Sequence, residues 1–249
     1  MSETRISANT GPADAVLPAA RPTGVVGIVM LDTRFPRPPG DVGHPDSFGI
    51  PTLRGVVHGA WPDNIVASAA GLRAARVVPA FVAVARQLER DGVLAITTSC
   101  GFLVLLQKEL QAAVKVPVVT SSLLQLPGLL AQEPQVGVLT ISARHLGREH
   151  LRAAGVPRAR LGDVVVQGMD PQGEFAGAIL GNHEAMDLAR AGAEVVAAAV
   201  ALKVRAPTLR TIVLECTNMP PYAQAIRETT GLQVRSLLDA PQLHFSRKP

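Results

Sequence analysis

The chain has 249 residues, of which 47% are hydrophobic and 18% charged, a balance that fits a well-buried α/β protein and excludes a disordered one. Its formal net charge is +4, but aromatic residues make up only 3%, so platforms on which nucleic-acid bases could stack are scarce. We therefore expect a small anionic ligand and no nucleic-acid partner. Two cysteines are too few for a disulfide scaffold and are typical of a reducing compartment, so we expect a cytoplasmic protein.

The first half of the chain alternates strand and helix patterns after an N-terminal segment, residues 1–22, that we interpret as a flexible tail. No apolar run is long enough for a membrane span, so no membrane partner is expected. A loop rich in Pro and Gly covers 32–51, a length that is usually functional. Strands are predicted over 24–31, 56–60, 93–99 and 116–122, and helices over 64–92, 102–114 and 123–131.

The second half repeats this organisation. Strands are predicted over 136–141, 163–168 and 211–216, and helices over 143–155, 183–203 and 220–231, and the run 233–239 closes the chain. The run that begins at Val26 resembles the run that begins at Val136, and the two cysteines keep nearly the same separation. Because strands that alternate with helices form parallel sheets, these patterns predict an α/β fold made of two halves of similar topology.

Each cysteine stands where an apolar strand gives way to a turn and a helix. Cys100 ends the run GVLAITTSC, and Cys216 ends the run RTIVLEC. Ligands of open α/β sheets bind at the carboxyl ends of the strands, and a helix N-terminus favours the thiolate form of cysteine. One such cysteine would more often be a packing residue. Two in matching positions instead indicate opposed thiols that exchange a proton at a carbon atom across a cleft. Neither cysteine has a CxxC motif or a histidine at metal-ligand spacing, so no metal is expected.

The segments around the cysteines resemble those of the PLP-independent aspartate/glutamate racemase superfamily. The segment 214–220, LECTNMP, is similar to the second cysteine motif of that family, and 98–101, TSCG, occupies the place of the first. The segment 27–33 resembles its opening strand. The resemblance implies two pseudo-symmetric Rossmann-like lobes with the active site in the cleft between them, no cofactor, and a homodimer. It assigns 23–130 to the first lobe, 131–218 to the second, and has 219–249 pack back onto the first.

The resemblance also implies a function. Cys100 and Cys216 would be the acid/base pair of a racemase or epimerase acting on a small carboxylate such as an amino acid. Two alternatives remain open. One is a cysteine-dependent isomerase or lyase of the same superfamily, similar to maleate isomerase or arylmalonate decarboxylase. The other is a non-catalytic protein that binds a small molecule on the same scaffold.

Further candidate residues lie at strand ends next to this cleft. Hydroxyl, amide and backbone N–H groups there would bind the carboxylate of the substrate, and Gly101 offers an open backbone N–H. The candidates for substrate binding are Asp32, Thr33, Thr98, Ser99, Gly101, Thr120, Ser121, Thr217 and Asn218. Arg34, His183 and Glu184 are weaker candidates, for pairing with a carboxylate or moving a proton. Each has an alternative structural role in a turn, a helix cap or a solvated face.

Overall fold

The computed structural model describes residues 24–67 and 77–245, which form two four-stranded parallel sheets. The first has the strand order β2-β1-β3-β4, and its strands are β1 Val26–Leu31, β2 Thr52–Val57, β3 Ala95–Thr98 and β4 Val118–Val119. The second has the order β6-β5-β7-β8, and its strands are β5 Val136–Thr140, β6 Val164–Gly168, β7 Thr211–Leu214 and β8 Gln233–Arg235. The identical order confirms the two similar halves predicted from the sequence.

Helices lie between the strands of each sheet, except that β1 and β2 are joined by the long loop 32–51. Those of the first half are α1 Pro62–Val66, α2 Val77–Arg90, α3 Gln107–Ala113 and α4 Leu126–Leu130. Those of the second half are α5 Arg148–Ala153, α6 Glu174–Leu180, α7 Leu188–Arg205 and α8 Ala223–Thr230. Within the part of the chain that is described, no helix combines the length and apolarity needed to cross a membrane.

Several element boundaries differ from the predicted ones for local reasons. β2 begins at Thr52, earlier than the predicted 56, because its pairing with β1 starts where the long loop ends. The long helix of the second half begins at Leu188, since the carboxylate of Asp187 accepts the N–H groups of Ala189 and Arg190 and caps the helix there. The predicted tail 1–22 and residues 68–76 of the predicted helix 64–92 lie outside the described residues.

The two lobes share the chain differently from the expected division at its C-terminal end. β8 pairs with β7 in the second sheet, so the chain from 219 to 235 lies with the second lobe. The following residues return to the first lobe, where Leu237 and Leu243 pack in one apolar cluster with Val26 and Ile28 of β1. Of the segment 219–249, expected to pack back onto the first lobe, the described residues up to 235 thus lie with the second lobe and residues 237–243 with the first.

Buried hydrogen bonds join the lobes at the carboxyl ends of their central strands. The hydroxyl of Thr217 donates to the carbonyl of Ser99 at 2.7 Å, and that of Ser122 donates to the carbonyl of Leu214 at 2.7 Å. Further out, the side-chain oxygen of Asn182 accepts the N–H of Arg34 at 2.7 Å. These contacts place the turn that follows β3 directly against the turn that follows β7.

Candidate active site

The two cysteines line one pocket between the lobes. Cys100 lies on the turn after β3 and Cys216 on the turn after β7, and both are largely buried. The other lining residues come from both lobes: Leu31, Thr33, Phe35, Pro62, Val66, Ser99, Gly101, Phe102, Ile141, Ile179, Leu180, Glu215, Thr217 and Asn218. The cavity volume is about 20 Å³, which holds roughly one water molecule.

The surroundings of the two thiols differ. Burial, with the nearby Glu215 carboxylate, raises the pKa of Cys100 to about 12, while the backbone N–H groups of Phe102 and Leu103 and the charge of Arg37 act in the opposite direction. Burial and Glu215 also raise the pKa of Cys216 well above its usual 9.0. At Cys216 only the backbone N–H of Asn218 lowers the pKa, and the negative charge of Asp41 raises it further. Both thiols therefore keep their protons at neutral pH, and of the two Cys100 is the one whose surroundings oppose the thiolate less.

Glu215 is a buried carboxyl group that lines the same pocket as both thiols and that was not predicted from the sequence. Its exposed fraction is 1%, its Oε2 accepts a hydrogen bond from the hydroxyl of Thr140 at 2.7 Å, and its Oε1 has no partner among the described residues. Burial raises its pKa from 4.5 to about 8, so the group is mostly protonated at neutral pH. The available signal was a single carboxylate inside the otherwise apolar run TIVLEC, next to the cysteine.

Gly101 is required by this carboxyl group. A Cβ atom at Gly101 would lie 2.2 Å from the backbone oxygen of Glu215 and 2.4 Å from its Oε1. Both distances are far below van der Waals contact, so a side chain here would separate the two turns. The absence of a side chain at 101 thus brings the lobes together, a role beyond the open N–H predicted from the sequence. That N–H opens a 3-10 turn, where the first N–H groups have no partner within the helix.

The long loop 32–51 supplies a buried ion pair beside the pocket. Arg37 contacts Asp41 at 2.6 Å, and their side chains are only 11% and 1% exposed. The second oxygen of Asp41 accepts the side-chain N–H of Asn218 at 2.6 Å, and the amide oxygen of Asn218 accepts the thiol of Cys216 at 3.5 Å. The loop therefore holds Asn218 in the orientation that keeps the Cys216 proton in place. The loop was predicted to be functional from its length, but the role of Arg37 and Asp41, four residues apart within it, was not predicted.

Two hydroxyl groups in the pocket are set to donate to a ligand. The Thr33 oxygen accepts from Arg37 at 3.0 Å, and the Ser99 oxygen accepts the N–H of Leu31 at 2.9 Å. Because a hydroxyl group has one hydrogen besides its acceptor sites, each of these can still donate to an anion. In contrast, the hydroxyl of Thr217 already donates to the Ser99 carbonyl.

Of the residues predicted for the site, the pocket brings together both cysteines with five more. These are Thr33, Ser99, Gly101, Thr217 and Asn218. Thr98, Thr120 and Ser121 lie nearby but do not line the pocket. The hydroxyls of Thr98 and Thr120 donate to the carbonyl of residue 120 and to the Gln107 amide oxygen, and Ser121 caps the turn at Leu123.

The remaining candidates lie at the edge of the lobes, away from the thiols. The Asp32 carboxylate accepts the N–H of Gly59 at 3.0 Å. Arg34 and Glu184 are 71% and 80% exposed and approach each other at 3.9 Å, and His183 is exposed. Among the described residues no three His, Cys, Asp or Glu side chains are grouped as metal ligands.

The fold and its pocket define a class of protein, the two-lobed α/β enzymes with a thiol pair between the lobes. The sequence profile of the Asp/Glu/Hydantoin racemase family matches residues 60–246. The chain therefore belongs to this family, as its cysteine segments predicted. Two solved structures share the fold: unliganded arylmalonate decarboxylase, at TM-score 0.54, 19% identity and coverage of 86% and 87% of the two chains, and the Picrophilus torridus aspartate racemase, at TM-score 0.51, 16% identity and coverage of 85% and 87%.

Higher sequence identity is found with a different group of enzymes. A dimethylsulfoniopropionate lyase of Durusdinium sp. clade D is 31% identical over 216 residues, which are 84% of this chain and 70% of that enzyme. Dimethylsulfoniopropionate lyase 5 of Emiliania huxleyi strain CCMP1516 is 32% identical over 228 residues, 86% of this chain but only 43% of that enzyme. The chain thus spans well under the full length of these relatives.

The contact between Gly101 and Glu215 predicts a large effect of a single methyl group. Gly101→Ala should lower the free energy of unfolding by about 1–3 kcal/mol, because the new Cβ meets a backbone oxygen that cannot rotate away. Urea unfolding measures the change. Gly128→Ala, on a helix with nothing within 4 Å of the added atom, is the control and should be neutral or slightly stabilising. Equal effects of the two substitutions would contradict this role of Gly101.

The different surroundings of the thiols predict different reactivity. Iodoacetamide at mildly alkaline pH should modify Cys100 before Cys216, as measured by peptide mass mapping over time, because the thiolate is the reactive form. Arg37→Gln should slow the reaction of Cys100, while Arg34→Gln, at an exposed arginine nearby, should not. Faster modification of Cys216 in the wild type would show that the assignment of the thiolate is reversed.

The buried carboxyl group predicts a pH-dependent loss of stability. Between pH 4.5 and about 8 the folded protein keeps a proton on Glu215 that the unfolded chain releases, so its contribution to stability falls as pH rises through this window. Glu215→Gln removes that contribution. Its free energy of unfolding relative to wild type should therefore increase from pH 5 to pH 8 and then level off. A constant difference between the two proteins over this range would mean that Glu215 titrates normally.

Proposed function

We propose that this protein is an enzyme that removes the proton from the carbon next to the carboxylate of a small substrate, without a cofactor, using Cys100 as the base. The observation that carries the proposal is the convergence of Cys100 and Cys216, from corresponding strands of two lobes, on one pocket. The backbone N–H of Gly101 and the hydroxyls of Thr33 and Ser99 are donors for the substrate carboxylate. Such donors stabilise the negative charge that develops there as the proton leaves.

The cost of a thiolate in this pocket favours a zwitterionic substrate. Both thiols have raised pKa values because burial penalises the charged form. A substrate with a carboxylate alone would add a second negative charge to the pocket. A substrate that also carries a sulfonium or ammonium group close to the reacting carbon would lower the pKa of Cys100 by direct attraction. We therefore expect a positive group within two carbons of the carboxylate.

The overall reaction that we favour is β-elimination, with dimethylsulfoniopropionate as the first substrate to test. The Cys100 thiolate takes the α-proton, the electrons of the C–H bond form the new C=C bond, and the neutral sulfide leaves with the electrons of the C–S bond. The products are an unsaturated carboxylate, a sulfide and the Cys100 thiol, which returns its proton to solvent. The support is the 30–32% identity to dimethylsulfoniopropionate lyases over most of this chain.

The second candidate reaction is racemisation or epimerisation of an amino acid. Here the proton removed by Cys100 on one face is replaced on the other face by the thiol of Cys216. The specific observation in its favour is the presence of a second buried thiol whose proton is held by Asn218. An elimination requires a base on one face only, so the two candidates make different demands on Cys216.

Substitution of each thiol tests the proposal and separates the two reactions. Cys100→Ser should lose about 10²–10⁴-fold in turnover of either kind, the range for loss of a positioned base. Cys216→Ser should lose as much if the reaction is racemisation but less than about 10-fold if it is elimination. Sulfide release is measured by gas chromatography, and racemisation of aspartate, glutamate and related amino acids by optical rotation. Full turnover by Cys100→Ser would refute the proposal.

A further inference from the structure

Glu215 carries a carboxyl group that the thiol chemistry does not use. It lines the pocket together with both cysteines and lies within the contact that joins the lobes. A buried carboxyl oxygen without a hydrogen bond is costly, and native structures contain few such atoms. We therefore expect a ligand to supply the missing hydrogen-bond partner of Oε1.

The hydrogen bonds around Glu215 determine which oxygen carries its proton. The Thr140 oxygen lies 3.4 Å from the N–H of Ser142, which it can accept, and its hydroxyl hydrogen is donated to Oε2. With Oε2 accepting from Thr140 in this way, Oε1 is the oxygen that can carry the proton of the carboxylic acid and donate it to a ligand. Burial keeps that proton in place at neutral pH, because it raises the pKa of Glu215 to about 8.

Oε1 lies close to the residues that carry the proposed chemistry. A Cβ atom at Gly101, the residue that follows Cys100, would lie 2.4 Å from Oε1, and Glu215 itself precedes Cys216. The titratable groups that face it are the thiols of Cys100 on the turn after β3 and Cys216 on the turn after β7. In the long loop, the charge of Arg37 lowers the pKa of Cys100, and the charge of Asp41 raises the pKa of Cys216.

We propose that Glu215 is a further catalytic residue, whose carboxylic acid donates a hydrogen bond from Oε1 to the substrate carboxylate and stabilises the charge that develops there when Cys100 removes the α-proton. The role rests on the proposed function and adds a neutral acid to the donors already described. Such an acid adds no negative charge to a pocket that has to hold a thiolate and a carboxylate at once. The proton stays on Glu215 throughout, so the balance of the reaction is unchanged.

Three substitutions at Glu215 test the assignment. In Glu215→Gln the amide oxygen replaces Oε2 as the acceptor from Thr140, and the amide N–H₂ replaces the Oε1 donor without titrating. It should keep turnover within about 10-fold of wild type at pH 7, and it should lack the dependence on a group of pKa about 8 that we expect in the wild-type pH profile. Glu215→Leu and Glu215→Met lack the donor and should lose about 10–100-fold at every pH, as for a hydrogen bond to a charged group.

Two results with the Glu215 variants would contradict the proposal. If Glu215→Gln is as inactive as Glu215→Leu, an ionised carboxylate is required and the neutral acid is ruled out. If the Leu or Met variant keeps wild-type turnover and an unchanged pH profile, Glu215 is purely structural. Thermal unfolding identifies a variant that fails to fold, and the Met variant, which is closer in length to glutamate, then replaces the Leu variant.

A binding measurement separates failure of this inference from failure of the proposed function. Propionate, a carboxylate with no leaving group, should protect Cys100 from iodoacetamide in wild type and in Glu215→Gln, with about 10-fold weaker protection in Glu215→Met. This result would support the Glu215 donor even if no tested substrate is turned over. Equal protection in all three proteins would overturn the inference and leave the thiol mechanism to the turnover assays.

Discussion

The contact between Gly101 and Glu215 is the constraint on which the site depends. It brings the turn of one lobe against the turn of the other so closely that no side chain fits between them. As a result both cysteines line one narrow pocket, which the buried carboxyl group of Glu215 also lines. The hydrogen bonds from Thr217 to Ser99 and from Ser122 to Leu214 hold the same two turns in register. The close contact of the two turns thus sets both the shape of the pocket and the burial that raises the pKa values of its groups.

Burial determines the protonation of the pocket. It raises the pKa of Cys100, Glu215 and Cys216, so these groups hold their protons at neutral pH. Under the proposed function, a positive group that enters with the substrate lowers the pKa of Cys100 and makes its thiolate accessible. The proposal therefore assigns sulfonium and ammonium carboxylates to the pocket, with loss of the α-proton as their common first step. In this proposal the group on the β-carbon decides whether elimination or racemisation follows.

The sequence was sufficient for the fold and for the central pair of residues. The alternation of strand and helix patterns predicted the parallel sheets, and the matched positions of Cys100 and Cys216 at strand ends predicted that the two residues meet at one cleft. Local sequence patterns did not predict the contacts between residues that are far apart in the chain. Glu215 appeared as one polar residue in an apolar run, and the Arg37–Asp41 pair as part of a loop. Their roles depend on the approach of the second lobe and on Asn218, 177 residues away from Asp41.

Loss of the α-proton tests the central claim most directly, since it is the first step of both candidate reactions. Wild-type protein is incubated in D₂O with zwitterionic carboxylates, and proton NMR follows the α-¹H signal together with the appearance of either deuterated substrate or the unsaturated product. We predict a loss of the α-¹H signal that depends on Cys100 and is faster for substrates with a sulfonium or ammonium group than for propionate. A loss that persists unchanged in Cys100→Ser, or neither exchange nor elimination from any such substrate with a folded wild-type protein, would contradict the proposal.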